Sequence, residues 1–183
     1  MKFVPIETER LIIRELIPED AEGMFEMDSD PEVHRYLGNE PVHELQQIKD
    51  VIQMIRRQYI ENGIGRWAML DKQSGEFIGW TGLKLIKEPT NSHVEYYDLG
   101  YRMKRKFWGM GYATESAKAS VRYCFEHHLA ESLYAMSDVE NSASRHVLEK
   151  CGLRYVETFD LDGTPHVWMQ LSRVDWEKEV NHI

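Results

Sequence analysis

The chain has 183 residues, 42% of them hydrophobic and 29% charged, a composition that suits one globular domain and excludes a disordered or collagenous chain. A formal net charge of −9 argues against a general nucleic-acid binder, whose phosphate contacts need basic surface, while it tolerates a cationic partner. Cys124 and Cys151 are too few for a disulfide framework, no apolar run approaches the roughly 18 residues of a membrane span, and Met1 to Glu7 lack a signal peptide's apolar core, so no membrane and a reducing cytoplasm are expected.

Thr8 to Leu16 reads as a first strand that Pro18 interrupts. Pro18-Glu19-Asp20 then opens a short helix carrying Ala21, Met24 and Phe25 at helical spacing, up to Asp30-Pro31. Leu45, Ile48, Ile52, Ile55 and Tyr59 recur by threes and fours, which predicts a core-facing helix stopped at Asn62-Gly63. Trp67 to Leu70 and Phe77 to Ile86 read as a hairpin, with Gly79 and Gly82 marking a bulge or a close neighbour inside its second strand. Val94 to Met103 is a fourth strand. A glycine turn, a helix from about Gly111 to His128, a strand Ser132 to Ser137 and a helix Ser142 to Cys151 follow. Strands Arg154 to Phe159 and Pro165 to Leu171 flank Asp162-Gly163, a strong hairpin signal. Without repeats, linkers or low-complexity segments, residues 1–183 read as a single domain.

Chemistry is concentrated at Lys106-Phe107-Trp108-Gly109-Met110-Gly111-Tyr112-Ala113, between a strand and a helix. Glycines let backbone N–H groups turn toward an anion, and a helix start adds unpaired donors. Arg102, Lys104, Arg105 and Lys106 just before the turn suggest an anionic ligand, against the alternative of a solvated charged loop. A P-loop would need Gly-Lys-Ser/Thr, and a dinucleotide fingerprint a glycine where Thr114 stands; neither fits.

These residues resemble the coenzyme A pyrophosphate loop of GNAT acetyltransferases. Nearly the whole chain shares the resemblance: Thr8-Glu9-Arg10-Leu11 to Arg14, Pro18-Glu19-Asp20-Ala21, Asp98-Leu99-Gly100-Tyr101, and Asn141-x-x-Ser144 through Glu149-Lys150-Cys151-Gly152-Leu153 are similar to the ribosomal-protein N-acetyltransferase branch. It implies an α/β fold with a single mixed central sheet of about seven strands and helices on both faces. It also implies transfer from acetyl-CoA to a primary amine, a protein N-terminus or a small molecule, by direct attack in a ternary complex, in a monomer or homodimer. The expected cofactor contacts are Tyr101, Arg102, Met103, Lys106, Trp108, Gly109, Met110, Gly111, Tyr112, Ala113, Thr114, Asn141 and Ser144. Two departures stand out. Lys106 occupies a position where relatives carry Gln or Arg, keeping the charge without the guanidinium fork. Leu148 occupies the position of the tyrosine that protonates the leaving thiolate in many relatives, which makes Ser144 the candidate proton donor; its local alternative is helix-start hydrogen bonding.

For the catalytic base the fourth strand offers Asp98 and Glu95, on opposite faces if no bulge intervenes, with a water chain as competitor. Trp67, Trp80 and Tyr96 either line an acceptor cleft or pack the core. His127, His128, His146 and His166 show no metal-ligand spacing, so no metal is expected and exhaustive chelation should leave transfer intact. Cys124 falls on an apolar helix face and reads as a small hydrophobe. The rival from another class is a coenzyme A-binding regulatory module without turnover.

Overall fold

The structure, a computed structural model, describes residues 3–181. Met1, Lys2, His182 and Ile183, the ends of the expected 1–183 domain, lie outside the described residues. Eight strands form one sheet in the order β1-β2-β3-β4-β5-β6-β8-β7: β1 Ile6–Glu7, β2 Leu11–Glu15, β3 Arg66–Asp71, β4 Phe77–Ile86, β5 Tyr96–Met103, β6 Ser132–Asp138, β7 Arg154–Leu161 and β8 Thr164–Ser172. Helices α1 Ala21–Asp28 and α2 Leu45–Asn62 pack on one face through Met24, Met27, Ile48, Ile52 and Ile55. On the other face α3 Tyr112–Glu126 and α4 Ser142–Lys150 bury Ala117, Val121, Cys124, Phe125 and Leu148. The last described element is α5 Arg173–Val180.

The sheet has one strand more than expected because Ile6–Glu7, just ahead of the segment expected as Thr8 to Leu16, also pairs into it. Leu11 N–H donates to Thr8 Oγ1 at 3.0 Å, a local turn that folds Ile6–Glu7 back onto Ile12–Ile13 as β1. Helix α5 escaped the periodicity reading because it is polar nearly all round. It is started by Ser172, whose hydroxyl accepts from Asp175 N–H at 3.1 Å. Arg173 then runs under the end of α3, donating to the carbonyls of Phe125 at 2.7 Å and Ala130 at 2.9 Å. These contacts tie the start of α5 to the end of α3 and to the loop that follows it.

The feature that makes a site is a fork in the sheet. β4 and β5 pair along their whole length, from Ile86↔Tyr96 to Gly79↔Met103. β6 and β8 likewise pair from Ser132↔Ser172 to Asp138↔His166. β5 and β6, the parallel pair joining these halves, meet only at Tyr97↔Leu133 and Asp98↔Tyr134. Beyond that point Leu99–Met103 and Ala135–Asp138 separate, and backbone polar groups along the gap are left for another partner.

Candidate active site

The fork opens toward the glycine turn. Gly109 and Gly111 both hold left-handed backbone, at φ +73° and +85°, which an L side chain adopts only under strain. Gly111 also caps α3, and among the described residues no side chain accepts from the N–H groups of its first turn. The first helical hydrogen bond is Glu115 N–H to Gly111 carbonyl at 3.0 Å, so the N–H groups of Tyr112, Ala113 and Thr114 precede the helical ladder. An uncapped helix start facing a gap between strands fits the pyrophosphate of a coenzyme A thioester.

The loop is braced by residues that the sequence left without a role. Glu115 accepts from Thr8 Oγ1 at 2.6 Å, Arg10 N–H at 2.9 Å and Arg10 Nε at 2.7 Å. Burial pushes the Glu115 carboxyl up, but these bonds together hold it below its ordinary range. Arg10 also donates to Met110 carbonyl at 2.8 Å and lies 4.2 Å from the Tyr112 ring centroid. Trp108 and Met110 are exposed, and the Trp108 indole donates to Met103 carbonyl at 3.0 Å, which fixes the ring at the loop's edge.

The charge argument for an anion needs correction. Each of the four cations before the turn already has a carboxylate partner. Arg102 bonds Asp28 at 2.8 Å, Lys104 bonds Glu26 and lies 3.5 Å from Glu76, Arg105 bonds Asp30 at 3.0 Å, and Lys106 bonds Glu76. Glu76 holds the Lys106 ammonium above the usual lysine value. What the turn offers an anion is therefore mainly backbone N–H, with net charge near these side chains close to balanced.

Across the fork, Asn141 Oδ1 accepts from Ser144 N–H at 3.1 Å, so the asparagine caps α4. Ser144 meets Tyr101. The Tyr101 hydroxyl donates to Ser144 carbonyl at 2.9 Å and lies 3.1 Å from Ser144 Oγ, bridging β5 to α4 beyond the point where β5 and β6 part. Burial pushes the Tyr101 phenol well above its ordinary value, so it stays protonated at neutral pH. Leu148 is buried in the core, one helical turn beyond Ser144.

On the opposite face of β5, Asp98 is ion-paired with Arg66, whose guanidinium also donates to Asp98 carbonyl at 2.7 Å. Burial pushes the Asp98 carboxyl up, and Arg66 and Lys84 pull it back. This carboxylate has the partner that a buried charge requires, and the partner occupies it. Glu95 lies before β5, exposed, with left-handed backbone at φ +51°, so strand alternation does not extend to it. Trp67 belongs to the core, stacked at 4.7 Å on Phe3. Trp80 lies between the guanidiniums of Arg66 and Arg102, 5.3 and 5.1 Å from its ring centroid. Tyr96 is buried against Tyr134 and Trp168. Burial pushes the Cys124 thiol up to about 12, as befits a packing residue.

A forked mixed sheet with a glycine-led helix start at its open end suits a transferase that handles an acyl-coenzyme A. The description "Acetyltransferase (GNAT) domain" matches residues 10–154. The chain is 33% identical over 137 residues to an uncharacterized N-acetyltransferase, p20, of Bacillus licheniformis, covering 75% of each chain. It is also 33% identical over 158 residues to the FsC-acetyl coenzyme A-N(2)-transacetylase of Aspergillus fumigatus, covering 84% of this chain and 66% of that protein. A crystal structure of a GNAT-family acetyltransferase from Bacillus anthracis superposes with a TM-score of 0.79 at 22% identity, over 93% of this chain and 99% of that one. The chain belongs to the GNAT acetyltransferase family, and it is an acetyl-CoA-dependent N-acetyltransferase.

Proposed function

We propose that the protein moves the acetyl group of acetyl-CoA to a primary amine by direct attack in a ternary complex. The observation that carries this reading is the fork between β5 and β6, closed at one end by Asp98 and Tyr134 and open at the other to the start of α3. In this reading the N–H groups of Gly109 to Thr114 hold the pyrophosphate. The parted stretch Tyr101 to Met103 lines the pantetheine arm, and Asn141 sets Ser144 beside the sulfur. Backbone donors fixed before the substrate arrives stabilise developing oxyanion charge without reorganising. The acceptor approaches from the α1 side, past Trp80 and Arg102. A screen of primary amines, including peptides with free N-termini, amino acids and polyamines, read by release of free coenzyme A, tests the reading. Release that depends on one amine class is expected. Tight acetyl-CoA binding with no amine-dependent release across the panel would establish a coenzyme A-binding module instead.

The cofactor loop has its own test. Gly109→Val is expected to lower acetyl-CoA affinity at least about tenfold in a folded protein, because a β-branched residue at φ +73° costs about 1–3 kcal/mol of strain or redirects the N–H groups. A Cβ at Gly109 meets no atom within 4 Å, so the effect reports backbone conformation and not a clash. Calorimetric titration of the folded variant checks it, and parental affinity would remove this turn from the cofactor site.

A further inference from the structure

Neither fourth-strand carboxylate is placed as a free base. Asp98 is occupied by Arg66, and Glu95 stands outside the strand on exposed backbone. A different proton acceptor lies where α1 ends. Asp28 and His34 are both buried, at 3% and 7% exposure. His34 Nε2 is 3.3 Å from Asp28 Oδ1, and the same oxygen accepts from Arg102 Nη1 at 2.8 Å. Arg102 projects from the part of β5 that has separated from β6, so this cluster borders the fork on the acceptor side.

The other ring nitrogen, His34 Nδ1, is buried without a hydrogen-bond partner. An ionised carboxylate only accepts, so Nε2 carries the proton of the neutral ring and Nδ1 carries a lone pair. A buried lone pair without a donor costs roughly 1–3 kcal/mol, which calls for an explanation. A carboxylate-held imidazole whose second nitrogen keeps its lone pair is an arrangement that accepts a proton. We propose that His34, oriented by Asp28, takes the proton from the acceptor's ammonium through one water, an inference that rests on the acetyl-transfer reading above.

The step balances. R–NH3+ gives one proton to Nδ1, leaving R–NH2 and an imidazolium that Asp28 stabilises and Arg102 opposes. The amine attacks the thioester carbonyl, the C–N bond forms and the C–S bond breaks. The nitrogen's surplus proton passes to the departing thiolate, which leaves as the thiol, and the imidazolium returns its proton to solvent. The charged groups around the ring are Asp28 from α1 and Arg102 from β5. Its own turn adds Glu32, 4.0 Å from Arg35, and Asp30, held by Arg105.

Two measurements on the full chain decide it. Long-range proton–nitrogen correlation spectra of the parent should show His34 as the Nε2–H tautomer with a bare Nδ1; a neutral ring protonated on Nδ1 overturns the proposal whatever the acceptor. In kinetics with an amine from the panel, His34→Gln should lower kcat on the order of 10²-fold at neutral pH and abolish the acid-side inflection of kcat. Added imidazole should restore part of the rate. A folded variant with the parental rate, or one that is slower but keeps the parental inflection and ignores imidazole, makes His34 a packing residue and leaves the acetyl-transfer reading intact. A parent that releases no coenzyme A with any amine removes that reading, and this inference with it.

Discussion

Gly79→Ala is expected to destabilise the protein by more than about 4 kcal/mol, the range reserved for changes the core cannot absorb. A Cβ built on Gly79 lands on the carbonyl oxygen of Arg102 and lies 2.6 Å from Met103 Cα. Both obstacles are backbone, so no side-chain rotation relieves the clash. The residues displaced are those that β5 contributes to the fork, with Gly79↔Met103 the last register pair before the glycine turn. Whatever fraction folds should therefore bind acetyl-CoA poorly. Gly75→Ala supplies the control: its left-handed φ of +73° faces nothing within 4 Å, and its cost should stay near about 1 kcal/mol. Denaturant unfolding of both variants measures the difference. Equal midpoints would mean that β4 and β5 can shift apart freely, contrary to the tight register described above.

The same glycine shows how far local pattern reaches. Gly79 and Gly82 stood out in a strand as a bulge or a close neighbour, and both have a close neighbour. Gly79 admits the backbone of β5, with a register shift beside it, and Gly82, at φ +120°, would place a Cβ 2.7 Å from the Trp67 ring. Helices α1 to α4, the hairpins and the glycine turn were legible because each is written in spacings of a few residues. Asp162-Gly163 turns between β7 and β8 with both residues at positive φ, as that dipeptide signals. What stayed hidden is long-range pairing. Thr8 and Arg10 meet Glu115 across more than a hundred residues, and Arg102 meets Asp28 across 74. No spacing rule contains such pairs, and for that reason the basic run before the turn looked free for an anion. The Asp28–His34 contact is only six residues long, yet it escaped too, because its meaning comes from burial and from an unpartnered nitrogen.

Ser144→Ala is expected to lower the single-turnover rate of acetyl transfer on the order of 10²-fold while leaving acetyl-CoA affinity nearly unchanged. A serine hydroxyl is too weak an acid to part with its proton outright. Its value lies in a hydrogen bond to sulfur that strengthens as negative charge develops, with proton delivery completed as the amine nitrogen deprotonates. That bond must point into the fork, and Tyr101 holds Ser144 at its edge. Its single hydroxyl proton is donated to the Ser144 carbonyl at 2.9 Å, which fixes the first turn of α4 against β5 and leaves the Ser144 proton for the sulfur. Tyr101→Phe should then slow transfer by a smaller factor, about tenfold, and should add little in the Ser144→Ala background, since two residues acting through one bond are not additive. Unfolding measurements on each variant separate this from lost packing. If Tyr101→Phe costs as much in the double variant as alone, the phenol acts independently of Ser144. If Ser144→Ala transfers acetyl at the parental single-turnover rate, the serine only joins the cap of α4 and water protonates the thiolate.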